Sequence, residues 1–192
     1  MKQLLMLALA ALMVCACGNK FNGPVADAIS AEVMKGVNEP YKFRFQSLTL
    51  LDSTTFATEF ARRINVYEIQ LDQNAARVEK YTKQGMHQNA AKVFQEYKRG
   101  QKILGELEAM REQMGDDTLK IAYYDYSFSG VARLSKGRKK VFELGYAAVT
   151  PDNRVLSVAG DPKSIHKATG LAIPGYQELL DSFKAEGIDI EE

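Results

Sequence analysis

Between Phe56 and Val78 the apolar residues Phe56, Phe60, Ile64, Tyr67, Leu71, Ala75 and Val78 recur in steps of three and four. A strand cannot use that spacing, because its side chains change face at every residue. A helix with 3.6 residues per turn places all of them on one side. The period therefore predicts one long amphipathic helix, with capping oxygens supplied by Asp52-Ser53-Thr54-Thr55. Gly85 interrupts it. A second run carries Ala90, Val93, Phe94, Tyr97, Leu104, Leu107 and Met114 and stops at Gly115-Asp116-Asp117. Each arm spans roughly 30 residues, or about 45 Å if wholly helical. Two such arms joined by a tight turn predict an antiparallel helical hairpin over about residues 53–115. Gly100 and Gly105 each weaken the second arm by about 1 kcal/mol relative to Ala, so a break and fold-back there is the alternative.

Ahead of the hairpin, Pro24 stands where a first-turn proline belongs, and Val25, Ile29, Val33 and Val37 follow at i+4 spacing. They predict a helix of about 14 residues, ended by Asn38-Glu39-Pro40. Tyr41, Phe43 and Phe45 then alternate with Lys42, Arg44 and Gln46 as in a half-buried strand. Leu48 and Leu50 have the opposite parity, which predicts a bulge near Ser47. After the hairpin, residues 119–159 read as a three-strand antiparallel meander, with turns at Ser135-Lys136-Gly137-Arg138 and Pro151-Asp152-Asn153. Residues 160–175 read as loop with a short helical turn. Tyr176, Leu179, Leu180 and Phe183 form a short C-terminal helix, and an acidic tail follows. The expected class is α+β: an antiparallel sheet of about four strands, an N-terminal helix, a long helical hairpin inserted after the first strand, and a short C-terminal helix. All of it falls in one domain over residues 24–192. At the level of fold this order resembles cystatin-like and NTF2-like domains, a likeness that carries no function.

Lys2 is followed by an apolar run from Leu4 to Val14. The run is about half of the roughly 20 residues a bilayer-spanning helix needs, and suits the apolar core of a signal peptide. It ends in Val14-Cys15-Ala16-Cys17-Gly18-Asn19. This resembles the lipobox of bacterial lipoproteins, with an aliphatic residue three before the acceptor cysteine and a small one just before it. Choosing Cys15 instead would put Val14 where the small residue belongs. The resemblance implies a signal peptide over residues 1–16, acylation of Cys17 and a short tether over residues 17–23. It also implies an envelope protein held on a membrane by diacylglycerol and palmitate-type chains. Gly18, rather than Asp, after the cysteine favours the outer membrane over the inner where a cell has both. Each acyl methylene contributes about 0.8 kcal/mol, so two or three chains make a lasting anchor.

Loss of Lys2 with the signal segment leaves 24 basic against 24 acidic side chains. That balance offers no long-range attraction to nucleic acid. With 46% hydrophobic and 26% charged residues the chain has the material for a core. Cleavage before Cys17 leaves no thiol for a disulfide or a zinc thiolate site.

Catalytic patterns are sparse. His87 follows Gly85 and reads as a solvated turn residue. His166 lies two residues from Ser164, and neighbours at that spacing do not face each other, which argues against a Ser–His dyad. Asp116-Asp117 reads as a turn, residues 170–175 as a connection, and no phosphate loop or dinucleotide fingerprint occurs. No catalytic residue, metal or cofactor is expected. The densest aromatic group, Tyr123, Tyr124, Tyr126, Phe128 and Tyr146, is the candidate ligand-binding set, with plain sheet core as the competing reading. The basic run Lys136, Arg138, Lys139 and Lys140 reads as a solvated edge that lipid headgroups or acidic glycans could touch. Gly85, Ala90, Phe94 and Tyr97 are similar to the interhelical half of a tetratricopeptide repeat. Asn74 and Val78 replace its upstream residues and no copy recurs at about 34 residues, so a generic helix turn is expected.

These readings predict a membrane-anchored envelope protein that acts as a binding or structural module toward a protein, glycan or small ligand. An envelope hydrolase or lyase with dispersed residues is the alternative. Strands of about 17–20 Å cannot cover the hairpin. Its end, around Val78 to Ala90, is therefore expected to project, offering Lys80, Lys83, Gln84 and Gln88 as a partner surface.

Overall fold

A computed structural model of the chain describes Phe21 and residues 23–37 and 40–185. The expected cleavage site, Cys17, Asn38-Glu39 and the acidic tail lie outside the described residues. The class is α+β, in the element order the sequence predicts. Helix α1 (Pro24–Lys35) precedes strand β1 (Pro40–Thr55); α2 (Phe56–Lys83) and α3 (His87–Met114) form the hairpin. Strands β2 (Ile121–Leu134), β3 (Lys139–Val149) and β4 (Val155–Ala159) follow, then helix α4 (Tyr176–Ala185). The sheet order is β1-β2-β3-β4, antiparallel throughout.

β1 runs to Thr55 itself, so the stretch read as a helix cap is also the strand's end. Thr55 Oγ1 accepts from the Thr58 N–H at 3.3 Å. The bulge expected near Ser47 is present as a register shift between Phe45 and Ser47. On one face of the sheet, Ile29, Val33 and Val37 pack on Phe43, Phe128, Ala132, Ala147 and Val149. The Phe43 and Phe45 rings meet edge to face at 4.8 Å, a favoured aromatic geometry. On the other face lies the root of the hairpin, where Phe60, Ile64 and Tyr67 of α2 meet Ile103 and Leu107 of α3 and Ile173, Tyr176 and Phe183.

α2 and α3 have 28 residues each, about 42 Å of helix apiece. α3 continues through Gly100 and Gly105 without a break, and Leu71 of α2 packs tightly at Gly100. The turn between the arms uses Gly85 at φ 69°, a left-handed conformation that glycine enters without a Cβ clash. Full burial in α2 ends at Tyr67, and every residue from Thr82 to Asn89 is exposed. The end of the hairpin thus stands clear of the sheet. Residues 160–175 are more structured than a loop, holding two 3₁₀ turns at Ser164–Lys167 and Thr169–Ala172. Those turns pack against α2 and create the site described next.

Candidate functional site

Helices advance about 100° per residue, so Glu59 and Arg63 fall on the same side of α2 as Phe56, Phe60 and Tyr67. Both are carried into the interior. Glu59 is 0% exposed, and a carboxylate there must be fully bonded or lose its charge. Each of its oxygens takes two donors. Oε2 accepts from Arg62 Nη1 at 2.6 Å and from the Tyr123 hydroxyl at 3.0 Å. Oε1 accepts from Arg63 Nε at 2.8 Å and from the Thr169 hydroxyl at 2.9 Å. Arg62 Nη1 also donates to the Tyr123 oxygen. Arg63 Nη2 reaches the carbonyls of His166 at 2.7 Å and Lys167 at 3.1 Å, which ties the first 3₁₀ turn to the helix. The Arg63 guanidinium lies 5.9 Å from the Tyr176 ring centre.

Burial pushes the Tyr123 phenol above its usual range, and the Glu59 charge adds to that. Hydrogen bonds with Thr54, Arg62 and Thr169 pull against it. For Arg62 burial acts to lower the pKa, but the Tyr123 hydrogen bond and the Glu59 charge outweigh it and raise the value. Asp125 sits two residues along β2 and so shares Tyr123's face. Burial raises its pKa against the pull of His166 and Arg62, while Asp52 and Glu59 act with burial. Asp125 is 8% exposed, and its Oδ1 has no hydrogen-bond partner among the described residues. His166 Nδ1 stands 3.5 Å from both Arg62 Nη1 and the Tyr123 oxygen.

Beside this cluster opens a pocket of about 290 Å³. It is lined by the basic Arg62, Arg63, Lys163, His166 and Lys167 and, interleaved with the arginines along α2, by Val66, Tyr67 and Gln70, with Tyr176. No carboxylate lines it among the described residues. A second pocket, of about 210 Å³, lies toward the hairpin's end, where Arg77 and Glu96 pair across the arms at 3.5 Å.

The aromatic set is divided between the two faces of the sheet. Tyr123 belongs to the Glu59 cluster. Tyr146 pairs across strands with Ser127 and so shares that face. Tyr126 and the 1% exposed Phe128 alternate to the α1 side, and parity puts Tyr124 there with them. The five residues therefore do not line one cavity. His87 is an exposed first residue of α3. Arg138, Lys139 and Lys140 are exposed at the β2–β3 turn, and Asp116 and Asp117 occupy a 3₁₀ turn where Asp117 pairs with Lys120 at 2.8 Å. Lys80, Lys83, Gln84 and Gln88 are all exposed at the hairpin's end.

Sequence reasoning does not single out Glu59, Arg62, Arg63 or Asp125, because charged side chains on an amphipathic helix usually mark its solvated face. The signal that finds two of them is angular: Glu59 and Arg63 flank one edge of the apolar arc rather than standing opposite it. For Asp125 the signal is its parity with Tyr123 in a strand otherwise rich in aromatic residues. No protein-family model matches the chain, and no curated protein or solved structure is significantly similar to it.

Proposed function

We propose that this chain is an envelope protein held to a membrane by lipid on Cys17, whose folded domain binds a small ligand in the basic pocket beside Glu59. The observation that carries the binding half is the rigidity of the pocket's polar wall. Arg62 and Arg63 are fixed by the wholly buried Glu59, and Arg63 in turn fixes the turn that presents Lys163, His166 and Lys167. Donors held in place before a ligand arrives lose little freedom on binding, which favours affinity. The anchor half is supported by Val14-Cys15-Ala16-Cys17 behind its short apolar run. Among the described residues no helix is long and apolar enough to cross a membrane. Gly18 favours the outer membrane where two membranes exist.

The hydrolase or lyase reading has one observation in its favour, the buried and unpartnered Asp125 oxygen near His166. Proton transfer works best from groups that titrate near the working pH. Tyr123 and Arg62 are both moved further from neutrality, and Glu59 has its oxygens fully occupied. Binding is therefore the better reading.

Two measurements test the two halves. Cys17→Ser is expected to lose the acyl mass and leave the membrane fraction; a variant that stays lipidated and membrane-bound overturns the anchor. A fragment screen followed by amide NMR is expected to perturb Val66, Gln70 and the 164–167 turn. Hits confined to the hairpin's end would move the binding site there and overturn the pocket.

A further inference from the structure

We infer that the pocket is an anion site for small amphiphilic acids: a carboxylate or phosphate monoester held by Arg62, Lys163 and Lys167, with its apolar body against Val66, Tyr67 and Tyr176. This rests on the reading of the pocket as a ligand site and adds the chemical class of the ligand.

The chain as a whole is nearly balanced, at 25 basic and 24 acidic residues, yet the pocket wall gathers Arg62, Arg63, Lys163 and Lys167 with no carboxylate among them. Glu59 lies behind the wall and offsets one of these cations. Asp161 acts on Lys167, but its Oδ1 is taken by the backbone N–H groups of Lys163 and Ser164, each at 3.0 Å. Asp125 acts on Arg62 as well, so the four permanent cations outnumber the three carboxylates near them by one, and an anion in the pocket meets a favourable field.

Arg63 is committed to Glu59, Thr169 and two carbonyls, so it positions the wall rather than reaching into the pocket. Arg62 spends Nη1 on Glu59 and Tyr123, while its Nε and Nη2 have no hydrogen-bond partner among the described residues. Lys163 and Lys167 are exposed, and neither ammonium group makes an ion pair among the described residues. A planar guanidinium edge flanked by two exposed ammonium groups is a donor set that suits a carboxylate or a phosphate group.

Val66 is 44% exposed on α2 although it stands between Arg62 and Gln70 on the pocket side. Tyr67 and Tyr176 are buried beneath it at 7% and 1%. A bare inorganic ion would leave that apolar surface wet, whereas an aromatic or alkyl body would cover it.

Calorimetric titration of the full chain in neutral detergent separates the outcomes, with phenyl phosphate, inorganic phosphate and uncharged benzamide as probes. Phenyl phosphate is expected to bind about tenfold or more tightly than either of the others. Raising the ionic strength should weaken phenyl phosphate and spare benzamide. Lys163→Glu with Lys167→Glu should weaken phenyl phosphate by about tenfold or more, again sparing benzamide. Both lysines are exposed, and circular dichroism with the salt series on the unaltered protein guards against a folding artefact. If benzamide binds as well as phenyl phosphate and charge reversal changes nothing, the anion inference is overturned while the pocket stands as a ligand site. If inorganic phosphate matches phenyl phosphate, the apolar half of the inference is overturned. If no probe binds the folded protein, the ligand-site reading falls with it.

Discussion

The hydroxyl of Thr169 donates to Oε1 of Glu59 across 2.9 Å, although the two residues are 110 positions apart and each is 0% exposed. Through this contact and the Arg63 bonds to the 166 and 167 carbonyls, the root of the hairpin is joined to the C-terminal segment by polar groups. Apolar packing beside it, among Phe60, Tyr176 and Phe183, is tolerant of small rearrangements. The Glu59 cluster is not, because each donor has one geometry that satisfies it.

Glu59→Gln tests that claim. The amide keeps the shape but removes the charge and turns one acceptor into a donor facing other donors. Removing one partner of a buried ion pair costs about 3 kcal/mol at the low end. That low end is a lower bound here: the Arg62 side chain is 33% exposed and can regain water, whereas Arg63 is only 10% exposed. With a urea slope of about 2 kcal/mol per molar, the midpoint should fall by roughly 1.5 M. A midpoint within experimental error of the unaltered protein would show that the cluster contributes little.

Asp125 gives a pH dependence. Its folded pKa is raised above the ordinary 3.8, so the native state holds a proton that the unfolded chain releases. Its stabilising contribution is complete below 3.8 and is lost as pH rises through the folded value. Asp125→Asn keeps the neutral shape at every pH. The variant should therefore gain stability relative to the unaltered protein between acid and neutral pH. Urea unfolding of both proteins across that range measures the difference, and a flat difference would contradict the raised pKa.

Two glycines should respond in opposite directions to alanine. A Cβ at Gly145 would come within 2.5 Å of the Phe128 ring, which is 1% exposed and meets Phe43 and Phe45 edge to face. Overpacking of this kind costs about 1–3 kcal/mol, or several degrees in melting temperature. Gly105 lies inside α3, exposed, with nothing within 4 Å of the point where an alanine methyl would stand. Gly105→Ala should stabilise by about 0.5–1 kcal/mol. Calorimetric melting of the two variants decides both signs.

Hydrogen exchange should grade the hairpin along its length. Amides near Phe60 to Tyr67 lie over buried side chains, whereas those from Thr82 to Asn89 belong to residues that are exposed throughout. The end should exchange through local opening at a lower free energy than the root. Equal protection at both ends would mean that the hairpin opens only as a whole.

Most of the architecture is legible because it depends on periodicity. The stripe from Phe56 to Val78 announces α2, and the parity change at Leu48 announces the bulge beside Ser47. The continuation of α3 through Gly100 and Gly105 is not decidable from propensity, since packing of Leu71 against Gly100 supplies what the glycines lack. The site is harder to read. Glu59 and Thr169 meet only through the tertiary fold, and no local pattern links them. The aromatic group is visible as a cluster in sequence, but alternation along β2 sends Tyr123 and Phe128 to opposite faces, and a sequence cluster becomes two separate environments.

The insertion of the hairpin between two strands that pair with each other bears on how the chain folds. Thr55 pairs with Ile121, and residues 56–120 lie between them. Closing an unstructured loop of that length would cost about 3–4 kcal/mol in chain entropy before any strand contact formed. The hairpin needs only neighbouring residues to form, and once formed it delivers Thr55 and Ile121 to the same end of a rigid rod. Substitutions between the two arms, such as at Leu71, should therefore slow folding, whereas changes in β4 should chiefly speed unfolding.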